Sequence, residues 1–159
     1  PFVESLEIAE YVRANTEPDE RIAVVGSEPQ VYFYADRRAA TGFLYTYPLM
    51  EAQPFARSMQ ERMIGEIERA EPAFIVYVRN PHSWALRADS ETLLLDWFDG
   101  YRDRYYHLVG LIDQFPGRSE SHWAPDVLWP PRSNIWIAVL ERNGRSPGGV
   151  RADKPSPSG

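Results

Sequence analysis

Short apolar runs alternate along this chain with longer segments in which apolar residues recur at helical spacing. The apolar runs are rich in β-branched residues, which is typical of strands. We predict strands at Ile22–Val25, Ala39–Phe43, Ala73–Val78, Tyr105–Ile112 and Asn134–Glu141. Apolar residues spaced three or four apart predict helices between these strands. The predicted helices are Val3–Asn15, Glu28–Ala35, Pro54–Ala70 and Glu91–Arg102.

Strands that alternate with helices favour an α/β fold. We therefore predict a three-layer α/β/α sandwich with a mostly parallel, Rossmann-like sheet whose last two strands form an antiparallel edge. Residues 1–142 form one α/β domain in this interpretation. Residues 143–159 are mainly Gly, Pro, Ser and charged residues, which predicts a flexible C-terminal tail.

The composition excludes several classes of function. The 159 residues carry a net charge of −6, and their basic residues are scattered, so nucleic acid is not an expected partner. Cysteine is absent, which excludes disulfides and thiol catalysis. The three histidines lack the spacing of metal ligands, and we expect neither a metal nor another cofactor.

The chain also lacks an apolar run of the roughly 20 residues that a membrane helix needs. A signal peptide is not visible either. The sequence begins at Pro1, inside a helical pattern, and we expect it to be part of a longer protein.

The junction after the first predicted strand gathers polar and aromatic side chains. Ser27 stands three residues before Gln30, the spacing of a capping box at a helix start. Four residues would then lie near the carboxyl end of the strand, where α/β proteins commonly bind ligands. These candidate ligand-binding residues are Glu28, Gln30, Tyr34 and Arg37.

A sugar suits this junction better than a nucleotide. Glu28 and Gln30 offer partners for hydroxyl groups, and Tyr34 or Tyr45 offers a ring face. A dinucleotide site would need several glycines, whereas only Gly26 is present, and Glu28 would repel a phosphate. The alternative is that the polar residues only cap the helix and the aromatic residues belong to the core.

A second candidate segment, Asn80–Trp84, follows the third predicted strand. If the first and third strands are neighbours, this segment and the Glu28 loop form one cleft. His82 would then be available as an acid or base, and Trp84 as a stacking platform. A triad of Ser27, His82 and Asp113 can be drawn, but the elbow motif that such a serine needs is missing.

Two further features remain open between binding and structural roles. The Arg37-Arg38 pair would suit a phosphate, or would simply satisfy carboxylates and a helix end. The stretch from Trp123 to Arg132 contains Trp123, Trp129 and three prolines. It is a candidate membrane or partner contact, or a loop that folds back over its own sheet.

The same junction carries a family resemblance. G-S-E-P-Q-V-Y-F-Y-A-D-R-R from Gly26, followed by A-A-T-G-F-L-Y from Ala39, resembles the soluble C-terminal domain of certain bacterial membrane glycosyltransferases. These are similar to the protein mannosyltransferase and aminoarabinose transferase type, which take sugars from polyprenyl-phosphate donors. The resemblance covers roughly Phe2 to Arg142 and includes E-P-A-F-I-V-Y-V from Glu71.

The resemblance implies an accessory extracytoplasmic domain that helps to position acceptor or donor. In that family the catalytic acidic residues lie in a loop of the transmembrane part, so none is assigned to this chain. The implied location is the extracytoplasmic, periplasmic face of a bacterial membrane, tethered by transmembrane segments outside this sequence. The implied partners are that transmembrane part, a glycan acceptor and a polyprenyl-phosphate sugar.

Two other classes of function remain open from the residues alone. One is a stand-alone soluble module that binds sugar or protein. The other is a small α/β enzyme that uses a cleft between Glu28 and His82.

Overall fold

The computed structural model describes residues 2–145, which form six helices and six strands in this part of the chain. The helices are α1 (Phe2–Ala14), α2 (Gln30–Ala35), α3 (Tyr47–Met50), α4 (Ala56–Ala70), α5 (Pro81–Trp84) and α6 (Leu93–Tyr105). The strands are β1 (Arg21–Val25), β2 (Arg38–Ala39), β3 (Phe74–Arg79), β4 (Tyr106–Phe115), β5 (Arg118–Trp123) and β6 (Ile135–Arg142). The four predicted helices and five predicted strands all have counterparts here, whereas α3, α5 and β5 were not predicted.

The strands form one mixed sheet in the order β2-β1-β3-β6-β4-β5. Strand β1 pairs in parallel with β2 and with β3. The other three pairings, β3 with β6, β6 with β4 and β4 with β5, are antiparallel. The α/β class is therefore confirmed, but the sheet that was predicted to be mostly parallel is mixed, with two parallel pairings and three antiparallel ones. The predicted antiparallel edge extends over half of the sheet because β5 joins the last two predicted strands and β6 pairs with β3.

Strand β5 escaped prediction because its sequence, R-S-E-S-H-W, carries only one apolar residue. It follows β4 through a tight turn at Pro116 and Gly117, where Gly117 has the positive φ of 76° that favours glycine. Its polar side chains find partners on α1: Ser121 donates to Glu7 at 2.7 Å, and Ser119 donates to Glu4. A strand with polar partners on the neighbouring helix does not need the apolar alternation that identifies strands in a sequence.

The core has two hydrophobic clusters that take alternate residues of the strands. In β1, Ile22 and Val24 join residues of α1 and α2, whereas Ala23 and Val25 join residues of α3, α4 and α6. Successive side chains of a strand point to opposite faces, so both faces of this strand are buried. The apolar run that predicted β1 reflects this burial on both sides.

Of the second predicted strand, Ala39–Phe43, only Ala39 lies in β2 (Arg38–Ala39). The chain turns at Thr41, whose hydroxyl bonds to the backbone of Phe43. Gly42 N–H then donates to Glu66 of α4 at 2.8 Å instead of to a strand. The polar Thr41-Gly42 pair thus ends the strand earlier than the apolar residues on either side of it predicted.

The described chain ends just after β6. Of the predicted tail, Arg145 donates to Glu20 at 2.8 Å and to Glu141 at 3.1 Å. Residues 146–159 of that predicted tail lie outside the described residues.

Candidate functional site

The loops that follow β1 and β3 meet at the carboxyl edge of the parallel strands. Strands β1 and β3 are neighbours, with Val25 opposite Tyr77 near their ends. The backbone N–H of Ser27 donates to Ser83 Oγ at 2.8 Å and joins the two loops. The predicted proximity of the Glu28 loop and the Asn80–Trp84 segment is therefore confirmed.

Four side chains form a closed hydrogen-bonded group at this edge, which we call the carboxyl-edge cluster: Ser27, Glu28, Thr46 and Ser83. Ser83 Oγ donates to Glu28 Oε2 at 2.8 Å. Thr46 N–H donates to Ser27 Oγ at 3.0 Å, and Thr46 Oγ1 donates to the carbonyl of Ser83 at 3.0 Å. Because the single hydroxyl proton of Thr46 is used there, Ser27 Oγ is the donor in its 2.9 Å contact with Thr46 Oγ1.

Gly26 lets this cluster close. A Cβ at this position would lie 2.6 Å from Glu28 Oε2, 2.9 Å from Ser83 Oγ and 2.9 Å from Val78 Cβ. These separations are shorter than van der Waals contact, so any other residue would push the two loops apart. Here the glycine allows the side chains of Glu28, Ser83 and Val78 to pack close to the backbone. In a nucleotide site a glycine would instead allow the phosphate to approach the backbone.

Glu28 has an unusual electrostatic environment. Burial raises the pKa of its carboxyl group above the usual range, although hydrogen bonds from Ser83 and from the Ser27 backbone act in the opposite direction. An acid that keeps its proton more readily than usual is suited to proton transfer when substrate can reach it. Here the oxygen Oε2 is already occupied by Ser83.

The predicted capping box is wrong. Helix α2 starts at Gln30 with Pro29 at the N-cap position and without a side-chain cap. Ser27 is drawn away by Thr46, and Gln30 Nε2 donates at 3.0 Å to Ser5 of α1. The two hydroxyl-bearing neighbours, Thr46 and Ser83, offer Ser27 tertiary partners that compete with the local cap.

Arg37 is not available for a phosphate. Its Nε donates to Thr16 Oγ1 at 2.7 Å, and Nη2 donates to the carbonyls of Thr16 and Arg13. Nη1 donates to the carbonyls of Ala35 and Asp36. The guanidinium group thus ties the end of α2 to the end of α1, which agrees with the structural alternative.

The aromatic candidates divide between core and surface. Trp84 is 3% exposed and its indole N–H donates to the carbonyl of Val78 at 2.7 Å, so the predicted stacking platform is wrong. Tyr34 is half-buried against the first hydrophobic cluster. Tyr45 is exposed and stacks on Tyr47, with ring centroids 6.3 Å apart.

His82 is exposed, as is the neighbouring Pro81, and the backbone carbonyl of His82 accepts from Tyr47 Oη at 3.0 Å. The triad drawn from Ser27, His82 and Asp113 is not assembled. Asp113 is 1% exposed and accepts from the backbone N–H groups of Arg132 and Ser133, both at 2.9 Å. It anchors the loop before β6 instead.

The two tryptophans of the proline-rich stretch do not share a surface. Trp123 stacks on Tyr11 of α1 at 4.3 Å, and its indole donates to Glu7 at 2.7 Å. Trp129 is 53% exposed and packs edge-on against Trp136, which belongs with the second hydrophobic cluster. Of the two candidate contact residues, Trp129 is the one that presents its ring to solvent.

Sequence reasoning missed two members of the carboxyl-edge cluster, Thr46 and Ser83. Ser83 lies beside the singled-out His82 and is 3% exposed, so the segment was identified but the wrong side chain was emphasised. Thr46 immediately precedes helix α3, which was not predicted. The residues around Thr46 do not indicate that it bonds to Ser27 and Ser83.

The cluster is acidic and hydroxylic, and it does not gather metal ligands. Within residues 2–145, His, Asp and Glu side chains do not assemble in a group of three that could hold a metal ion. Comparisons with protein-family models, curated proteins and solved structures give no match to this chain.

Proposed function

We propose that this chain is an accessory extracytoplasmic domain of a polytopic glycosyltransferase that uses a polyprenyl-phosphate sugar donor. The domain helps to position acceptor or donor, and the catalytic residues lie outside this chain. The family resemblance of the Gly26–Tyr45 region suggests the transferase. The closed carboxyl-edge cluster is the observation that favours an accessory role.

The cluster supports this assignment because its polar groups are already bonded to each other. The hydroxyl protons of Ser27, Thr46 and Ser83 all have acceptors inside the cluster. Among the described residues, every buried side-chain nitrogen and oxygen has a hydrogen-bond partner. The three hydroxyl groups therefore have no proton left to donate to a substrate, and one oxygen of Glu28 is held by Ser83.

The groups proposed to face acceptor or donor are those at the rim of the cluster. Tyr45 provides an exposed ring face, and His82 provides an exposed imidazole. A ring face and nearby hydrogen-bonding groups are suited to a sugar. These two side chains are the contact residues that we propose.

The proposed location is the periplasmic face of a bacterial membrane, tethered by transmembrane segments of the same polypeptide. None of the helices in residues 2–145 has the length and apolarity to cross a bilayer. We further propose that the helices cover both faces of the sheet as a three-layer α/β/α sandwich. The alternation of strand residues between two hydrophobic clusters supports this arrangement.

The test combines a transfer assay with a binding assay. The purified chain is incubated with radiolabelled polyprenyl-phosphate mannose or aminoarabinose and an acceptor peptide or lipid A, and we expect no transfer. Turnover by the chain alone would contradict the accessory role. In the membrane protein that carries this domain, we expect Tyr45→Ala and His82→Ala to reduce transfer. Phe33→Ala, a matched change of an exposed aromatic residue on α2, should leave transfer unchanged.

The stand-alone module is the second candidate, and the exposed Tyr45–Tyr47 pair favours it. It predicts that the isolated chain binds a soluble glycan without any membrane partner. Titration of the chain with a glycan array separates the two candidates, because an accessory domain would bind only in the context of its transferase.

A further inference from the structure

A cavity of about 200 Å³ lies between α6 and the sheet, away from the carboxyl-edge cluster. Its lining is mainly carbon: Phe98 of α6 faces Leu108, Ala138 and Leu140 of the antiparallel strands. Phe98, Ala138 and Leu140 are buried, whereas Leu108 is half-buried. The half-exposed ring of Trp129 completes the lining where the cavity meets solvent.

The ring of Trp129 is held in place from two sides. It meets Trp136 edge-on at 5.3 Å, and the Arg102 guanidinium lies 5.8 Å from its centroid. The loop that carries Trp129 is anchored through Arg132 and Ser133, whose N–H groups both donate to the buried Asp113. The Trp129 ring is therefore fixed at the cavity by contacts within the fold.

The polar groups near the cavity carry little net charge and are already paired. Arg102 forms ion pairs with Asp99 at 3.3 Å and with Asp103 at 2.9 Å, and Arg79 lies near the Tyr77 hydroxyl. Among the residues that line the cavity, the charges of Arg102 and Asp103 cancel each other, and both groups are already engaged in an ion pair. A charged ligand would leave one of these groups with an unfavourable neighbour, so the site favours an uncharged ligand.

The interior does not suit a sugar ring. Tyr106 Oη is committed to the carbonyl of Pro72 at 2.8 Å, and the floor is aliphatic. A buried pyranose would leave several hydroxyl groups without partners, and each unsatisfied group is costly. An aromatic ring loses no hydrogen bond in such a cavity and stacks on Phe98, Tyr77 or Trp129.

The size sets a further limit. An apolar protein cavity of about 150 Å³ is known to accommodate benzene. A cavity of about 200 Å³ therefore holds one six-membered aromatic ring with a small substituent. We propose that this cavity binds an uncharged small molecule with a single aromatic ring, whose polar substituent points to the Arg102–Asp103 pair. This inference is independent of the proposed glycosyltransferase role.

The probe for this site is 4-fluorobenzyl alcohol. Its binding to the whole chain is measured as broadening of its ¹⁹F NMR line. We expect a Kd on the order of 1 mM, the affinity typical of a nine-atom ligand with good contacts. The charged analogues 4-fluorobenzoate and 4-fluorobenzylamine should bind at least about tenfold more weakly, because neither charge finds a free partner. Methyl α-D-glucopyranoside should not displace the probe.

Two variants locate the binding. Leu108→Phe fills the cavity from β4 and should abolish binding, while Trp129→Ala should weaken it roughly fivefold, the effect of one aromatic contact. Phe33→Ala, on α2, is the matched control and should bind like the wild type. If Leu108→Phe lowers the melting temperature by more than a few degrees, its loss of binding is set aside. The probe affinities of Trp129→Ala and Phe33→Ala are then compared to decide whether the probe binds in the cavity.

Three results would overturn the proposal. The first is an absence of line broadening when wild-type protein is mixed with ~20 mM probe, which is about twentyfold above the expected Kd. The second is unchanged probe binding in both Leu108→Phe and Trp129→Ala. The third is displacement of the probe by the glucoside.

Discussion

Removing the Ser83 hydroxyl should destabilise the fold through the carboxyl-edge cluster. In Ser83→Ala, Glu28 loses its 2.8 Å donor and the Ser27 N–H loses its 2.8 Å acceptor. A hydrogen bond to a charged group contributes about 1.5–3 kcal/mol and a neutral one about 1 kcal/mol. Because Glu28 is only partly buried, we take the lower part of the range and expect a loss of roughly 2–3 kcal/mol.

A double-mutant cycle with Glu28→Gln separates the cluster from a general packing effect. The glutamine side chain keeps an oxygen that can accept from Ser83, but the bond is no longer charge-assisted. Ser83→Ala should therefore cost about 1 kcal/mol less when it is combined with Glu28→Gln, which is within the coupling range of contacting residues. Urea denaturation of the four proteins at pH 7 measures each free energy of unfolding.

The control is Ser58→Ala on the exposed face of α4, where Ser58 Oγ donates only to the carbonyl of Phe55. This change should alter the free energy of unfolding by less than about 0.5 kcal/mol. A Ser83→Ala loss as small as that of the control would refute the reasoning. Strict additivity with Glu28→Gln would show that the charge of Glu28 does not strengthen its hydrogen bond from Ser83.

Three further predictions concern the site and the loop beside the cavity. Gly26→Ala should destabilise the protein by at least ~2 kcal/mol in urea denaturation, because its Cβ would overlap buried groups; wild-type stability would contradict the close approach. Glu28 has a folded-state pKa above the ordinary 4.5, so its contribution to stability should be largest below pH 4.5 and decline as pH rises through the raised pKa. The free energy of unfolding of wild type relative to Glu28→Gln should therefore fall between pH 4 and pH 7, and a rise would show that the carboxyl pKa is lowered instead. Asp113→Ala should lower the free energy of unfolding by about 2–4 kcal/mol, because two loop N–H groups lose a buried charged acceptor. The fluorescence of Trp129 should also shift toward that of a solvated indole. An unchanged emission spectrum would show that the loop does not depend on Asp113.

Elements with strong periodicity were the predictable part of the fold. Strand β3 is buried on both faces, and its continuous apolar run predicted it. Helix α4 was predicted from apolar residues spaced four apart, which are Phe55, Met59, Met63 and Ile67. Phe55, which immediately precedes the helix, is nevertheless 67% exposed. Gln60, on the adjoining position, is 0% exposed.

Gln60 shows why the rest could not be predicted. Its Nε2 donates at 2.8 Å to the carbonyls of Leu49 and Glu91, and its Oε1 accepts from the Leu94 N–H at 2.8 Å. It therefore satisfies backbone groups of the connections around α3 and α6. Burial of a glutamine depends on where distant loops end, and such information is not carried by local periodicity.

The candidate site was predictable in place but not in chemistry. Parallel pairing of β1 with β3 brings their following loops together, and this follows from the α/β pattern. The closure of the cluster depends on Thr46, which reaches Ser27 and Ser83 from a third loop. Arg37 and Trp84 were predicted to bind ligand because their side chains can donate hydrogen bonds and pack against rings. In the structure they donate to backbone carbonyls instead, Arg37 to Thr16 and Trp84 to Val78.

The most direct test of the proposed function is the coding sequence upstream of Pro1. We expect it to encode several apolar spans of about 20 residues. We also expect an acidic pair in the first loop outside the membrane, where the catalytic carboxylates of the resembling transferases lie. A start codon within a few codons of Pro1, with no membrane span in the reading frame, would contradict the transferase assignment and leave a soluble binding module as the better description.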